Sequence, residues 1–159
     1  MAKIVVADTG PLIALARLDL LSLPDALFDR ALLTAIVLSE CEAKPDHGEG
    51  VSIRAALNAG LFQLLDAPAH DPAWAIDPGE ASSIALAVAQ NASVLIDDKA
   101  GRNLATQIGR PIIGTGGLLI LAKRKGLLAR VAPCLSTLND SGYFISQEVA
   151  TDILRLAGE

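Results

Sequence analysis

Residues 3–18 read KIVVADTGPLIALARL, and the fold turns on how that stretch is divided. Residues 3–7, with the four apolar and partly β-branched residues Ile4 to Ala7, predict a short buried strand of a parallel sheet. The run ends on a carboxylate, Asp8. Thr9, Gly10 and Pro11 then make a turn, and GPLIALARL continues with helical spacing, Pro11 falling near the first turn, where a missing N–H is tolerated. The acid at this junction has two readings. Asp8 or Thr9 caps the helix, or the strand delivers a carboxylate to the sheet edge where open α/β domains gather functional groups.

A second stretch repeats the pattern. SVLIDD, residues 93–98, is another apolar strand ending on acid, Asp97 and Asp98, followed by a helical AGRNLATQIG. Between and beyond them strands and helices alternate. LLSLPDALFDR predicts a short helix with Pro24 near its start. ALLTAIVLSECEAK holds a strand and then a helix that carries Glu40 and Glu42 and ends before Pro45. After the polar break DHGEG comes a helix over about 51–59 and a short strand in LFQLLDA. PAHDPAWAIDPGE reads as a loop, and EASSIALAVAQNA as a helix of small residues. RPIIG predicts a strand, and GGLLILAKRKG a helix stopped at Gly126. Two further helices are expected around 128–140 and 146–157. The alternation implies an α/β domain with a parallel sheet.

The length of 159 residues suits one domain spanning 1–159, and a hydrophobic content of 52% with only 3% aromatic residues requires an aliphatic core. Two cysteines, Cys41 and Cys134, and two histidines, His47 and His70, stand in no metal-ligand spacing, which argues for buried thiols and against zinc. There is no signal-peptide pattern and no apolar run approaching the ~18 residues of a membrane span, so a cytoplasmic protein with no membrane partner is expected. The net charge is −5, but seven of the 13 basic residues fall between Lys99 and Arg130, a segment without Asp or Glu. That segment reads either as solvated helix faces or as a phosphate-contacting edge. GTGG at 114–117 lacks the features of a phosphate loop and reads as a turn opening a helix.

If the two acid-ended strands are neighbours, Asp8, Asp97 and Asp98 share one sheet edge. Glu40 and Glu80, each on a helix, can join them. Each acid also has a bland role: Asp77 with Glu80 resembles a capping box, Asp97 or Asp98 can cap the helix at Lys99, and Glu40 can face solvent. Carboxylates that crowd together repel, and burying them is costly unless a cation neutralises them. Oxygen-only donors suit Mg2+ or Mn2+, and such ions support hydrolysis of phosphoryl groups. The basic segment begins directly beside Asp98, where a polyanion needs counter-charge.

VVADTGPLIALARLDLL, TAIVLSEC, DPGEASSIALAVA, VLIDDKAGRNLA and PIIGTGGLLILAKRKGLL together resemble, in order, a PIN-domain protein of the bacterial and archaeal branch related to the VapC toxin ribonucleases. GTGGLLILAKRKGLL and SGYFISQEVATDILRLAGE are similar to that narrower branch. The resemblance implies a three-layer α/β/α fold with a small, mostly parallel sheet of about five strands. It implies a Mg2+- or Mn2+-dependent endoribonuclease leaving a 5′ phosphate, a toxin of a toxin–antitoxin pair, with RNA, an antitoxin protein and a second copy of the chain as partners. Asp8, Glu40, Glu80 and Asp98 are the implied catalytic acids, and Asp8, Asp98 and Asp97 the implied metal ligands. Thr9 would help hold water. Lys99, Arg102, Lys123 and Arg124 are the expected substrate contacts. The chain departs from the branch in carrying Glu80 where many toxins have aspartate, and Gly10 where serine is usual.

Other readings compete. Haloacid-dehalogenase-like phosphatases need a second aspartate at the position of Gly10, and receiver domains need an acidic pair before the strand-end aspartate. A non-catalytic PIN-like module binding RNA or protein remains as the alternative. GGLLILA and the last helix offer apolar surface for a dimer or, equally, for the core.

Overall fold

The computed structural model describes residues 3–43 and 48–159. His47, Pro45 and the first half of the DHGEG break lie outside the described residues. The chain begins with β1 (Ile4–Ala7), α1 (Thr9–Arg17), α2 (Leu23–Leu27), β2 (Arg30–Thr34) and α3 (Ala35–Glu42). It continues with α4 (Glu49–Asn58), β3 (Gln63–Leu65), α5 (Pro78–Gln90), β4 (Ser93–Leu95), α6 (Lys99–Gln107) and β5 (Ile112–Ile113). Three helices close it: α7 (Thr115–Arg124), α8 (Ala132–Asp140) and α9 (Gln147–Leu156).

The five strands form one sheet in the order β3-β2-β1-β4-β5, and every pairing is parallel. β1 is central. Val5 stands opposite Ala31 on one side and Ser93 on the other, and Ala7 pairs with Leu95. The order reverses at β1, because the chain first builds outward through β2 and β3 and then crosses back to add β4 and β5. The crevice beyond the carboxyl ends of β1 and β4 is thus the topological switch point, where such sheets bind ligands. Asp8 extends the ladder there, its amide donating to the Leu95 carbonyl at 3.0 Å.

Period-2 alternation divides the core. Val5, Ala7, Leu33 and Leu95 face one layer, with Leu12, Leu15, Val37, Leu118, Leu119 and Leu135 from the helices. Val6, Leu32, Val94 and Ile96 face the other, against Ile84, Leu86 and Ala87 of α5 and Ala105 of α6. The result is a three-layer α/β/α fold. The small residues of α5 let it lie close to the sheet: Ala81, Ser82, Ser83 and Ala85 are buried, and the hydroxyls of Ser82 and Thr34 share a hydrogen bond of 2.8 Å. Cys41 and Cys134 are buried thiols. No helix among the described residues is long and apolar enough to cross a membrane.

Boundaries shift where side chains find better partners. α4 starts at Glu49 rather than near 51, because Gly48 takes a left-handed conformation (φ 74°) and Glu49 is drawn inward to Arg17, whose Nε donates to it at 2.6 Å. The helix expected from 128 begins only at Ala132, with Pro133 in its first turn. In GGLLILA, Leu118, Leu119 and Ile120 are buried, so this apolar surface serves the chain's own core.

α9 contributes no fully buried residue, yet Ile153 and Leu154 pack on the core. A β-carbon at Gly116 would collide with Ile153, so that glycine lets α9 lie against α7. Glu159 fastens the end of α9. Its carboxylate accepts from the amides of Val131 (2.7 Å) and Ala132 (3.0 Å) and from Lys123 Nζ (2.9 Å). The Val131 amide, then Lys123 and the Ala132 amide, hold the Glu159 carboxyl at about 2, below its usual 4.5. A depressed acid contributes stability that is fully present above the unfolded pKa and is lost as pH falls through the folded one. Thermal melts of Glu159→Gln should therefore lie below the native chain at pH 7. The gap should narrow as pH falls from about 4.5 and close near pH 2. A gap that is constant over this range contradicts the assignment.

Candidate active site

The carboxyl ends of β1 and β4, the first turns of α1, α5 and α6, and the α8–α9 loop enclose a cleft of about 700 Å³. Six carboxylates line it: Asp8, Glu40, Asp77, Glu80, Asp97 and Asp98. The local sequence accounts for each position. Asp8 occupies the N-cap position of α1, but its side chain makes no capping bond. It points into the crevice, 5% exposed, and accepts a long hydrogen bond from Ser83 Oγ at 3.3 Å. Burial, above all, raises the Asp8 carboxyl to about 7; the Thr9 backbone amide and Ser83 oppose the rise, and repulsion from Asp77 and Glu40 adds to it.

Glu40 reaches the cleft from α3. Its carboxylate accepts from Thr9 Oγ1 at 2.6 Å. Gly79 makes the room, since a β-carbon there would collide with the Glu40 carboxylate. Glu80 is 8% exposed and directed toward the start of α6, where a β-carbon at Gly101 would come within 3.2 Å of its Oε2. Burial first, then repulsion from and hydrogen bonding to Asp77, push Glu80 up to about 8. The capping role at α5 falls to Asp77, which accepts from the Glu80 amide at 3.0 Å. Glu80 therefore lines the cleft with its side chain and leaves the capping to its neighbour.

The two β4 acids behave differently. Asp98 caps α6 by accepting from the Gly101 amide at 3.1 Å while still lining the cleft. Asp97 accepts from the Thr115 amide (2.7 Å), the Thr115 hydroxyl (2.6 Å) and the Tyr143 hydroxyl. It ties β4 to the start of α7 and to the α8–α9 loop. Burial and the Asp97 charge push the Tyr143 phenol upward, which keeps it a donor. Gly10 completes this corner: a β-carbon there would touch the Tyr143 hydroxyl at 3.4 Å.

Of the expected substrate contacts, Thr9 lines the cleft and Lys99 stands exposed at the first position of α6. Arg102 donates to the Ile96 carbonyl at 3.0 Å, at the end of β4. None of Lys99, Arg102, Lys123 and Arg124 lines the cleft. Lys123 donates to the Ala157 carbonyl at 2.7 Å and to Glu159, and Arg124 reaches the Leu156 carbonyl at 3.4 Å. Sequence reasoning did not single out Ser83, Thr115, Tyr143, Gly79 or Arg17 for the site. Arg17 lines the cleft but is held by Glu49 and by the Ser141 carbonyl at 2.9 Å. SGYF, a turn glycine followed by two of the few aromatic residues, was the available signal for Tyr143.

The donor set is oxygen-rich, acidic and lacks a neighbouring unengaged cation among the cleft-lining residues, which fits a hard divalent ion. Among the described residues, however, no three acidic, His or Cys side chains stand close enough together to hold a metal in their present positions.

Residues 4–159 match the model of a family described as a PIN domain. No curated protein matches the chain. A PilT N-terminus domain protein from the hyperthermophilic archaeon Sulfolobus solfataricus P2 is similar in structure, with TM-score 0.47 and 20% identity over 73% of this chain and 90% of that one. An overlap below 0.5 adds nothing to what the sheet order and the family match establish.

Two expectations follow from the site. An acid whose folded pKa is raised binds more protons folded than unfolded, so without metal the chain should lose stability as pH rises from about 4 toward 8. In chelator, Asp8→Asn should stabilise the protein by roughly 1–3 kcal/mol at pH 8 and by little at pH 4. Equal melting-point differences at the two pH values would refute this. Gly79→Ala should keep or raise the melting point, because alanine favours a helix by about 1 kcal/mol over glycine. It should also weaken Mn2+ binding in a calorimetric titration by displacing Glu40. Unchanged affinity would show that Glu40 is not needed.

Proposed function

The chain belongs to the PIN-domain family, and from that premise we propose that it is a metal-dependent endoribonuclease. The fold is of nuclease type. The observation that carries the finer reading is the convergence of six carboxylates on the switch-point cleft, with Asp8 and Glu80 held at about 7 and about 8. A site that only stabilised the fold would gain nothing from such crowding.

Asp8, Glu40, Glu80 and Asp98 are the residues that would hold Mg2+ or Mn2+. When bound, the ion supplies the positive charge that a phosphodiester and an attacking water need. The chain's own residues do the rest. Ser83 orients Asp8, and Thr9 orients Glu40 at the mouth of β1. Asp97, the third acid that the resemblance implies as a ligand, also fixes the end of β4 through the bonds it accepts from Thr115 and Tyr143. Lys99 and Arg102, on the first turn of α6, are the cations available to flanking phosphates. Water adds to phosphorus, the P–O3′ bond breaks, and the products carry a 5′ phosphate and a 3′ hydroxyl. A role as the toxin of a toxin–antitoxin pair is consistent with the VapC-like motifs, the partner being a protein whose basic side chain enters the acidic cleft.

A second reading, a PIN-like module that binds RNA or protein without cutting, draws on the absence of a gathered metal-binding triad among the described residues. One experiment separates the two. A mixed RNA pool is incubated with the native chain in Mn2+, in chelator, and with Asp8→Asn and Asp98→Asn. The nuclease reading expects cleavage in Mn2+ only, reduced on the order of 100-fold or more in each variant. RNA retained equally in chelator, with no cleavage in any arm, would establish the binding module instead.

A further inference from the structure

The chain has three Phe, one Tyr and one Trp, and among these Phe144 alone is exposed, at 86%. It lies on the wall of the acidic cleft, beside Tyr143. Its neighbours are firmly held. The Ser141 carbonyl accepts from Arg17 at 2.9 Å, and the Tyr143 amide donates to the Leu138 carbonyl at 2.9 Å. The Tyr143 hydroxyl is bound to Asp97, and Ile145 packs against the core. Phe144 is thus a ring projected into solvent between two anchored residues.

We infer that Phe144 is a stacking platform for an unpaired nucleobase of an RNA strand lying in the cleft. The choice of ligand rests on the nuclease reading of the carboxylates. A strand whose phosphate meets those acids through a divalent ion carries bases on both sides of that phosphate. An exposed aromatic face on the same wall offers one of them a π-surface, which every base can use. The contact needs an unpaired base, so it selects single strands over duplex while tolerating sequence. Tyr143 and Ile145 position the ring by fixing the backbone on either side of it.

The test measures binding of a labelled uridine oligomer in Mn2+ by fluorescence anisotropy, with Asp98→Asn protein to limit cutting. Phe144→Ala in that background should weaken binding by roughly 5- to 150-fold with an unchanged melting point. Phe144→Trp should preserve affinity, and its new indole emission should be quenched as RNA is added. The oligomer annealed to its complement should bind weakly and without quenching. Ala-variant affinity within twofold of its parent, or no quenching, overturns the inference, as does a parent that binds no RNA. Cleavage is scored separately on otherwise native protein. Normal cleavage with Phe144 irrelevant to binding removes the platform and leaves the nuclease. No cleavage, with Phe144 still governing affinity, removes the nuclease and leaves the platform.

Discussion

The organisation of this molecule follows from one electrostatic constraint: carboxylates are brought together beyond β1 and β4 without enough positive charge beside them. Asp8 is buried at the reversal of strand order, and Glu40, Asp77, Glu80, Asp97 and Asp98 face the same cleft. In a low-dielectric setting such groups keep their protons, accept hydrogen bonds or take up a cation. The raised Asp8 and Glu80 show the first response, and the many donors around Asp97 the second. The third is the response on which the proposed nuclease chemistry rests.

Hydrogen bonding divides the acids by role. Asp97 is satisfied by three protein donors and acts as a structural pin between β4, α7 and the α8–α9 loop. Asp77 and Asp98 each cap a helix with one bond. Asp8 and Glu40 each accept from a single hydroxyl, of Ser83 and Thr9. Gly79 clears space for the Glu40 carboxylate and Gly101 for the Ile96 side chain, so the backbone of the neighbouring helices is as much a part of the site as the acids are. The proposed ion site rests on the weakly satisfied oxygens rather than on the most numerous contacts.

The basic segment has been divided in the same way. Lys123, Arg124 and Arg130 are turned toward the end of α9 and the Glu159 carboxylate, and Arg110 bonds Asn91 at 2.8 Å. Lys99 and Arg102 stand in the first turn of α6, which Asp98 caps, and Arg102 donates to the Ile96 carbonyl at the end of β4. A run of like charge in sequence is therefore not a surface. Helix periodicity sends its members to different faces.

The alternation of apolar strands and helices, the acid at each strand end, and the turn residues that start and stop helices are local properties, and the sequence by itself determined them. It thereby determined the fold class, the parallel sheet and the acids at its carboxyl edge, and the ordered motifs named the family. Element ends moved by a few residues where a tertiary partner intervened, as Arg17 did for Glu49. What the tertiary structure alone decided was which groups meet. Thr9 and Glu40 are separated by 31 residues, Asp8 and Ser83 by 75, and Tyr143 lies 46 residues from Asp97. Periodicity can place a side chain on a face of its own helix or strand. It carries no information about the angle and distance at which two such faces approach, and those depend on packing across the whole sheet. For that reason Asp8 and Asp98 could be read from strand ends, while the three bonds accepted by Asp97, the engagement of Lys123 and the exposed ring of Phe144 became visible only once the helices were docked.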